Sequence, residues 1–365
     1  GYDISRENFF DVEPIDELIF RGSYGTTGNR SGLGRYSQLG TVGFNSYPGG
    51  SSTIPSNIEN KDLKWETSYN TNIGVQLSMF NGRLTAVSDY FIRDTEDLLF
   101  NIPKADESGI ASVRGNLGEI QNTGFEVSLR GDVIRNDNVS WTLGGNVLFL
   151  DTEIVSLPDG EDVAPNAFNI LYREGAKINE HYLVRWAGVD PGTGRSQYLD
   201  ANNNVVFADA LTEDDAEDAR VLQGKSTIAD IEGGFFSNFR YKNISLRTDF
   251  VFKSGNWINN VVRQQRNADG DQVDSNQATS AFNYWKQPGD TNVQPSPLYR
   301  QDDINVNSDR FLEKGDYIRL RNVTLAYNFS KEVLDKTPFS SLRFYVQGQN
   351  LLTFTDFYGD PEVGI

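Results

Sequence analysis

The chain alternates. From Lys64 to Phe80 the odd positions read Trp65, Thr67, Tyr69, Thr71, Ile73, Val75, Leu77 and Met79. The even positions read Lys64, Glu66, Ser68, Asn70, Asn72, Gly74, Gln76 and Ser78. A strand sends successive side chains to opposite faces, so one face is greasy and the other polar, over more than the ~5 or 6 residues of an ordinary soluble strand. The pattern returns near the far end. There one set is Tyr317, Arg319, Arg321, Val323, Leu325, Tyr327 and Phe329. The opposite set is Ile318, Leu320, Asn322, Thr324, Ala326, Asn328 and Ser330. Strict alternation makes the first set the apolar, aromatic face. Leu342, Phe344 and Val346 then oppose Arg343, Tyr345 and Gln347. Ribbons of this kind suit a wall with lipid outside and water inside.

Nothing in the 365 residues approaches the ~18 to 20 consecutive apolar residues of a membrane helix. The mean hydropathy of −0.49 does not argue against barrel strands, because alternation keeps hydropathy low. About eleven runs read as strands, and their links alternate between short and long. The short links are Asn81-Gly82, Asp132 to Asn138, Asp190 to Gly194, Lys242-Asn243 and Lys331 to Ser340. Asn81-Gly82 is a strong tight-hairpin signal. Outer-membrane barrels put short turns on the periplasmic rim and long loops outside. A soluble sandwich has no reason to collect its long loops on one rim. No repeat of fixed period argues for a propeller or solenoid. The fold expected is therefore all-β, an antiparallel up-and-down transmembrane barrel or a portion of one.

With 51 acidic and 33 basic residues, the net charge of −18 repels phosphate backbones, so no nucleic-acid partner is expected. Acid gathers in polar links such as Glu213-Asp214-Asp215 and Asp302-Asp303, where solvation is the plain reading and cation collection at a pore mouth the sharper one. There is no Cys, hence no disulfide framework and no thiolate site. The single His181 cannot build a histidine metal cluster, and beside Tyr182 it reads as stacked or exposed rather than as a base.

Other motifs fail on spacing. Asp200-Ala-Asn-Asn-Asn204 opens like a calcium loop but has Val205 where Gly is needed and Leu211 where the closing Glu is needed. Asn267 to Asp274 lacks a closing Glu. Gly224-Lys-Ser-Thr227 lacks the upstream Gly of a phosphate loop, with Ala219 in its place. No carboxylate pair stands out for glycoside hydrolysis. The chain is not read as an enzyme and needs no cofactor or metal. The aromatics are more informative. Trp65, Trp141, Trp186 and Tyr327 fall on expected strands and read as girdle or lipid-facing side chains. Trp257 and Trp285 lie at or inside the longest irregular stretch, Ser254 to Lys314, where ring faces can stack on sugars or contact peptides. They are the candidate substrate-binding residues, with loop self-packing as the competitor.

Two segments also carry a resemblance. Tyr317-Ile-Arg-Leu-Arg-Asn-Val-Thr-Leu-Ala-Tyr327 and Tyr345-Val-Gln-Gly-Gln-Asn-Leu-Leu-Thr-Phe354 closely resemble the C-terminal signature of the SusC/RagA family, TonB-dependent outer-membrane importers of Bacteroidetes. Arg21 to Asn29, Leu63 to Thr67, Asp89 to Leu99 and Asn122 to Glu126 are similar to further family segments. The resemblance covers nearly the whole chain but only the C-terminal part of the family's barrel. It implies one domain over residues 1–365, supplying about eleven of the family's ~22 strands. The N-terminal plug, the early strands and the last strand would lie outside it. It implies import of large nutrients, oligosaccharides or peptides, across the cell outer membrane beneath a SusD-like surface lipoprotein. TonB would act through the plug, and membrane lipid and lipopolysaccharide would surround the wall. The polar residues Asn70, Asn72 and Gln76 would then line the lumen. The alternative is a soluble or secreted all-β carbohydrate-binding module whose apolar faces pack on each other; an extracellular β-rich hydrolase comes third.

Overall fold

The computed structural model describes residues 1–47, 50–103, 110, 112–164, 169–211, 213–267, 269–270, 276–297 and 307–362. Its frame is one antiparallel sheet of ten strands, nine long ones and a two-residue strand at Tyr2–Asp3. The long strands are Ile15–Asn29, Glu66–Met79, Leu84–Pro103, Ser112–Arg135, Val139–Ser156, Ile231–Tyr241, Ile244–Ser254, Tyr317–Asn328 and Arg343–Phe354. Each pairs with its neighbour along the chain once loop strands are set aside, the meander order of an up-and-down barrel wall. The sheet is open, bounded by the Tyr2–Asp3 and Arg343–Phe354 strands.

The register sorts side chains into two faces. Phe125, Val127 and Leu129 stand opposite Phe149, Val147 and Gly145, which in turn oppose Ile231, Gly233 and Phe235. Leu246 and Phe250 continue the row to Leu325 and Leu320. These side chains are exposed or half-buried, Ile73 at 60%. Among the described residues no second sheet covers them, so the packing that a carbohydrate-binding sandwich requires is not made there. The opposite face carries Asn70, Asn72, Gln76, Ser128, Asn146 and Asp249.

The far-end ribbon departs from strict alternation. Leu320 pairs with Phe250 and Asn322 with Asp249, so Arg321 is an extra residue in a β-bulge. The bulge switches the phase. Ile318 and Leu320 join Val323, Leu325 and Tyr327 on the apolar face, while Tyr317 and Arg319 turn to the polar face, each only 5% exposed. Strict alternation would put both on the apolar side, but one inserted residue reverses every side chain beyond it.

The expectation of about eleven staves also changes. The runs at Tyr182–Trp186 and Gln197–Asp200 are not staves. Glu180–Val184 pairs with Arg220–Ser226, and Trp186–Val189, Ser196–Leu199 and Val205–Phe207 form a three-stranded sheet. Both sit in the long link between Val139–Ser156 and Ile231–Tyr241. Asp190 to Gly194 is therefore a turn within that link and not a rim turn. Within Asn101 to Gly118, expected as a loop, residues 101–103 and 112–118 are strand: Asn101 pairs with Arg114 and Leu98 with Leu117. The short rim links at Asn81-Gly82 and Lys242-Asn243 stand where expected. Phe80, Asn81 and Gly82 all have positive φ, and the Asp16 carboxylate accepts from the Asn81 and Gly82 N–H groups at 3.1 and 2.8 Å.

The hydrophobic cores lie in the loops. Above the rim the inward face turns apolar at Ile120 and Ile154, and Tyr172 from the link packs there with its ring edge-on to Phe100 at 5.2 Å. A second cluster joins Val184, Tyr198, Ala208 and Ala219. Trp186 packs against this cluster with the Arg310 guanidinium 5.2 Å from its ring, so it is a loop-core side chain and not a girdle residue. Trp141 does sit on the apolar face near the short-turn rim, its Nε1–H donating to Ser237 Oγ at 3.0 Å.

Candidate functional site

The polar face is wide, and several of its charged side chains are bonded across neighbouring strands. Arg21 donates to both Asp89 oxygens at 3.0 and 2.8 Å, across the strand that holds Gly74. A Cβ on Gly74 would lie 2.1 Å from Asp89 Oδ1, so the pair requires glycine there. Arg93 donates to Asn70 at 2.8 Å, and Gln76 to Glu17 at 3.1 Å. Arg247, Asp249, Asn322 and Gln347 form a ladder across three strands. Two aromatic rings lie on this face over glycines, Phe91 over Gly124 and Phe236 over Gly144. Such a surface offers many weak hydrogen bonds and few unpaired charges, which suits passage of hydrated solute without tight capture.

At the long-loop end the polar face carries a denser group. Tyr317 Oη donates to Glu362 at 2.7 Å, and Arg319 and Arg321 donate to the same carboxylate at 2.5 and 2.9 Å. Arg319 also donates to Asp360. A cleft of about 420 Å³ adjoins the group and is lined in part by Glu126, Glu232, Lys253 and Glu362. Alternation alone does not reveal this group, because the bulge at Arg321 leaves no mark in the residue pattern.

Above lies a cap made by two long links, 157–230 and 255–316. They are joined by main-chain and side-chain bonds. Val184 N–H donates to the Asn307 carbonyl, and Trp186 N–H donates to the Asp309 carboxylate. The Arg310–Asp269 ion pair has side chains 5% and 3% exposed, and Gln294 accepts from the same guanidinium. Trp257 belongs to a short strand, Trp257–Asn259, paired with Leu312–Lys314. Its ring is flanked by Lys225 and Lys314 at 4.4 and 5.9 Å. Trp285 covers the Asp190–Gly194 turn: its Nε1–H donates to the Pro191 carbonyl at 2.9 Å, and its ring fills the space beside Gly194. The structure brings both to the cap but gives them separate partners. For Trp285 the packing is that of a loop clamp.

His181 is buried. Its Nε2–H donates to the Trp257 carbonyl at 3.1 Å, joining the two links. Burial holds its pKa below the ordinary histidine value; the Trp257 carbonyl opposes that shift and Lys225 adds to it. The Asp200 carboxylate accepts from the Asn204 side chain and from the Asn202 and Asn204 N–H groups, which lowers its pKa and closes the turn on itself. Asp302-Asp303, with part of the Asn267 to Asp274 segment, lies outside the described residues. Among the described residues no cluster of three His, Cys, Asp or Glu has metal-site geometry.

An unclosed meander with one apolar face, one polar face, short turns on one rim and a built-up cap on the other is the wall of an outer-membrane β-barrel. No helix among the described residues is long and apolar enough to cross a membrane, and the strands provide the crossing. The chain belongs to the TonB dependent receptor-like β-barrel family, whose profile matches residues 8–247. It is 32% identical over 395 aligned positions to the TonB-dependent receptor P3 of Formosa agariphila, covering 99% of this chain and 37% of that protein. It is 26% identical to the TonB-dependent receptor SusC of Bacteroides thetaiotaomicron, covering 100% of this chain and 37% of SusC. The solved RagAB peptide transporter contains a chain that superposes with a TM-score of 0.87 at 28% identity, covering 100% of this chain and 40% of that one. The chain therefore spans less than two-fifths of the curated relatives named here. The expected barrel class, SusC/RagA likeness and outer-membrane setting hold.

Proposed function

We propose that the intact protein imports large hydrated nutrients, oligosaccharides or peptides, across the outer membrane in a TonB-dependent cycle. These residues would supply part of the barrel wall and the external cap. The plug, the remaining strands and the TonB contact would lie in polypeptide beyond the 365 residues. A SusD-like surface lipoprotein would close the cap from outside. The observation that carries this reading is the two-faced sheet, whose polar face is paired within itself and leads up to the looped cap. Likeness to the RagAB peptide transporter supports the peptide class, and the oligosaccharide class rests on the family resemblance of the sequence. The wall performs no chemistry in this reading. Trp257 and Trp285 would sit on the entry side, where an indole can stack on a pyranose or a peptide side chain.

The test is uptake by living cells. A strain lacking the intact gene is compared with its parent for accumulation of fluorescent oligosaccharides and oligopeptides, with and without a proton uncoupler. Import is expected to fall in the deletion strain and in uncoupled parent cells for one of the two cargo classes. Equal uptake of both classes in all cells would sink the proposal. Co-purification of a lipoprotein from solubilised outer membranes checks the lid separately.

A further inference from the structure

We propose that Tyr317, Arg319 and Arg321 form a carboxylate-binding site that Glu362 and Asp360 occupy as a displaceable internal ligand. Three donors from one strand converge on the single Glu362 carboxylate, through Tyr317 Oη, Arg319 Nη1 and Arg321 Nη1. Regular alternation does place positions 317, 319 and 321 on one face. The bulge is what aims that face inward, away from hydrocarbon, while keeping the strand's lower half in phase with its neighbours. Arginine presents a planar fork matched to a carboxylate, and two forks with a phenol are a strong anion-recognising set.

The donors and their occupants are unequally held. The Arg319 side chain is 6% exposed, whereas those of Glu362 and Asp360 are 26% and 47% exposed. Arg319 Nε–H has no acceptor among the described residues, so the present partners do not exhaust the guanidinium. A buried guanidinium cannot be left without a counter-charge, but one carboxylate can replace another without that cost. The occupants come from the segment after the Arg343–Phe354 strand and not from the sheet itself. The cleft of about 420 Å³ beside Tyr317, Arg321 and Glu362, whose further charged lining is Glu126 and the Lys253–Glu232 ion pair, gives an incoming group a place to stand before exchange. In a chain of net charge −18, this is a cationic spot that an acidic strap covers. Cargo bearing a carboxylate, such as a peptide C-terminus or an acidic sugar, would compete with the strap.

The proposal deepens the import reading by naming a chemical class of cargo. Its test reads binding and not transport, so glutarate binding by a protein whose deletion leaves oligosaccharide and oligopeptide uptake unchanged would leave the site standing and count against import. The intact protein in detergent is titrated with glutarate and with neutral glutaramide. The double variant Glu362→Gln/Asp360→Asn is expected to bind glutarate about tenfold tighter than the unaltered protein, since an internal occupant lowers apparent affinity by the fraction of time it is seated. Adding Arg321→Gln to that variant removes the gain. Glutaramide binds neither. Equal glutarate affinity in the double variant and the unaltered protein would overturn the proposal, as would equal binding of glutaramide. If the double variant does not fold, the unaltered protein decides the matter. Glutarate should raise amide hydrogen exchange across residues 355–362 as the strap is displaced, and unchanged exchange at saturation rejects it.

Discussion

Single residues carry constraints that the sheet makes visible. Gly124 lies under the Phe91 ring, and a Cβ there would come within 2.2 Å of the ring. Gly124→Val should therefore destabilise the barrel by ~1–3 kcal/mol through overpacking. Adding Phe91→Ala should recover part of the loss, and heat-modifiable gel mobility of the intact protein in detergent reads both. His181 gives a second test, with a defined sign. Its folded pKa lies below the ordinary value, chiefly because it is buried. Near neutral pH it is uncharged folded or unfolded, and its contribution is intact. As pH falls through the unfolded value of ~6.5, the opened cap takes up a proton that the closed cap resists, so stability is lost progressively toward the folded pKa. With the intrinsic slowing of exchange divided out, the protection factor at Glu180–Val184 should show an excess fall between about pH 7.5 and about pH 5.5, and His181→Asn should remove that excess. Equal excess in both proteins would refute the assignment. For Trp285 the expected outcome of Trp285→Ala is faster proteolysis at the Asp190–Gly194 turn, because the indole N–H and ring both hold it.

Among elements, the Tyr317–Asn328 strand is the most informative. Removing Arg321 would erase the bulge and force its upper half out of phase, sending Tyr317 and Arg319 toward hydrocarbon. That deletion should block outer-membrane assembly, whereas Arg321→Gln, which keeps the residue count, should assemble; membrane fractionation separates the outcomes. The same strand shows what a sequence discloses. Trp65 to Met79 displays its two faces openly, because no extra residue interrupts the run to Met79. The staves were legible as alternating runs and the short turns at Asn81-Gly82 and Lys242-Asn243 as breaks between them, while an uninterrupted phase also disclosed the wet face at Asn70, Asn72 and Gln76. Arg321 was not, since a bulge costs one residue and changes no composition. The Glu180–Val184 and Ser196–Leu199 strands looked like staves because a short buried strand in a loop has the same residue types as a stave. The Arg319 and Glu362 pairing spans 43 residues and leaves no local trace. The burial of His181 is not legible locally, because its hydrogen-bond partner Trp257 lies 76 positions away.

At the scale of the whole molecule, the assignment of faces is open to a direct comparison. Phe235 stands on the apolar face, stacked on Phe250 at 4.7 Å, while Asn146 stands on the polar face one strand away. Phe235→Arg should cost ~2–4 kcal/mol near the bilayer midplane, and Asn146→Arg much less. Folding titrations into lipid vesicles measure both, and equal penalties would undo the picture of one face in lipid. The strands also differ greatly in height. Ser112–Arg135 runs for 24 residues, whereas Ile231–Tyr241 runs for 11. Tilted as barrel strands are, the longer one rises ~60 Å, against an apolar band of ~25 Å. Its hairpin with Leu84–Pro103 thus continues past the hydrocarbon on the cap side, where Phe100 meets Tyr172 of the cap. A fluorophore fixed to the outer side of that extension would report on whatever docks against the cap.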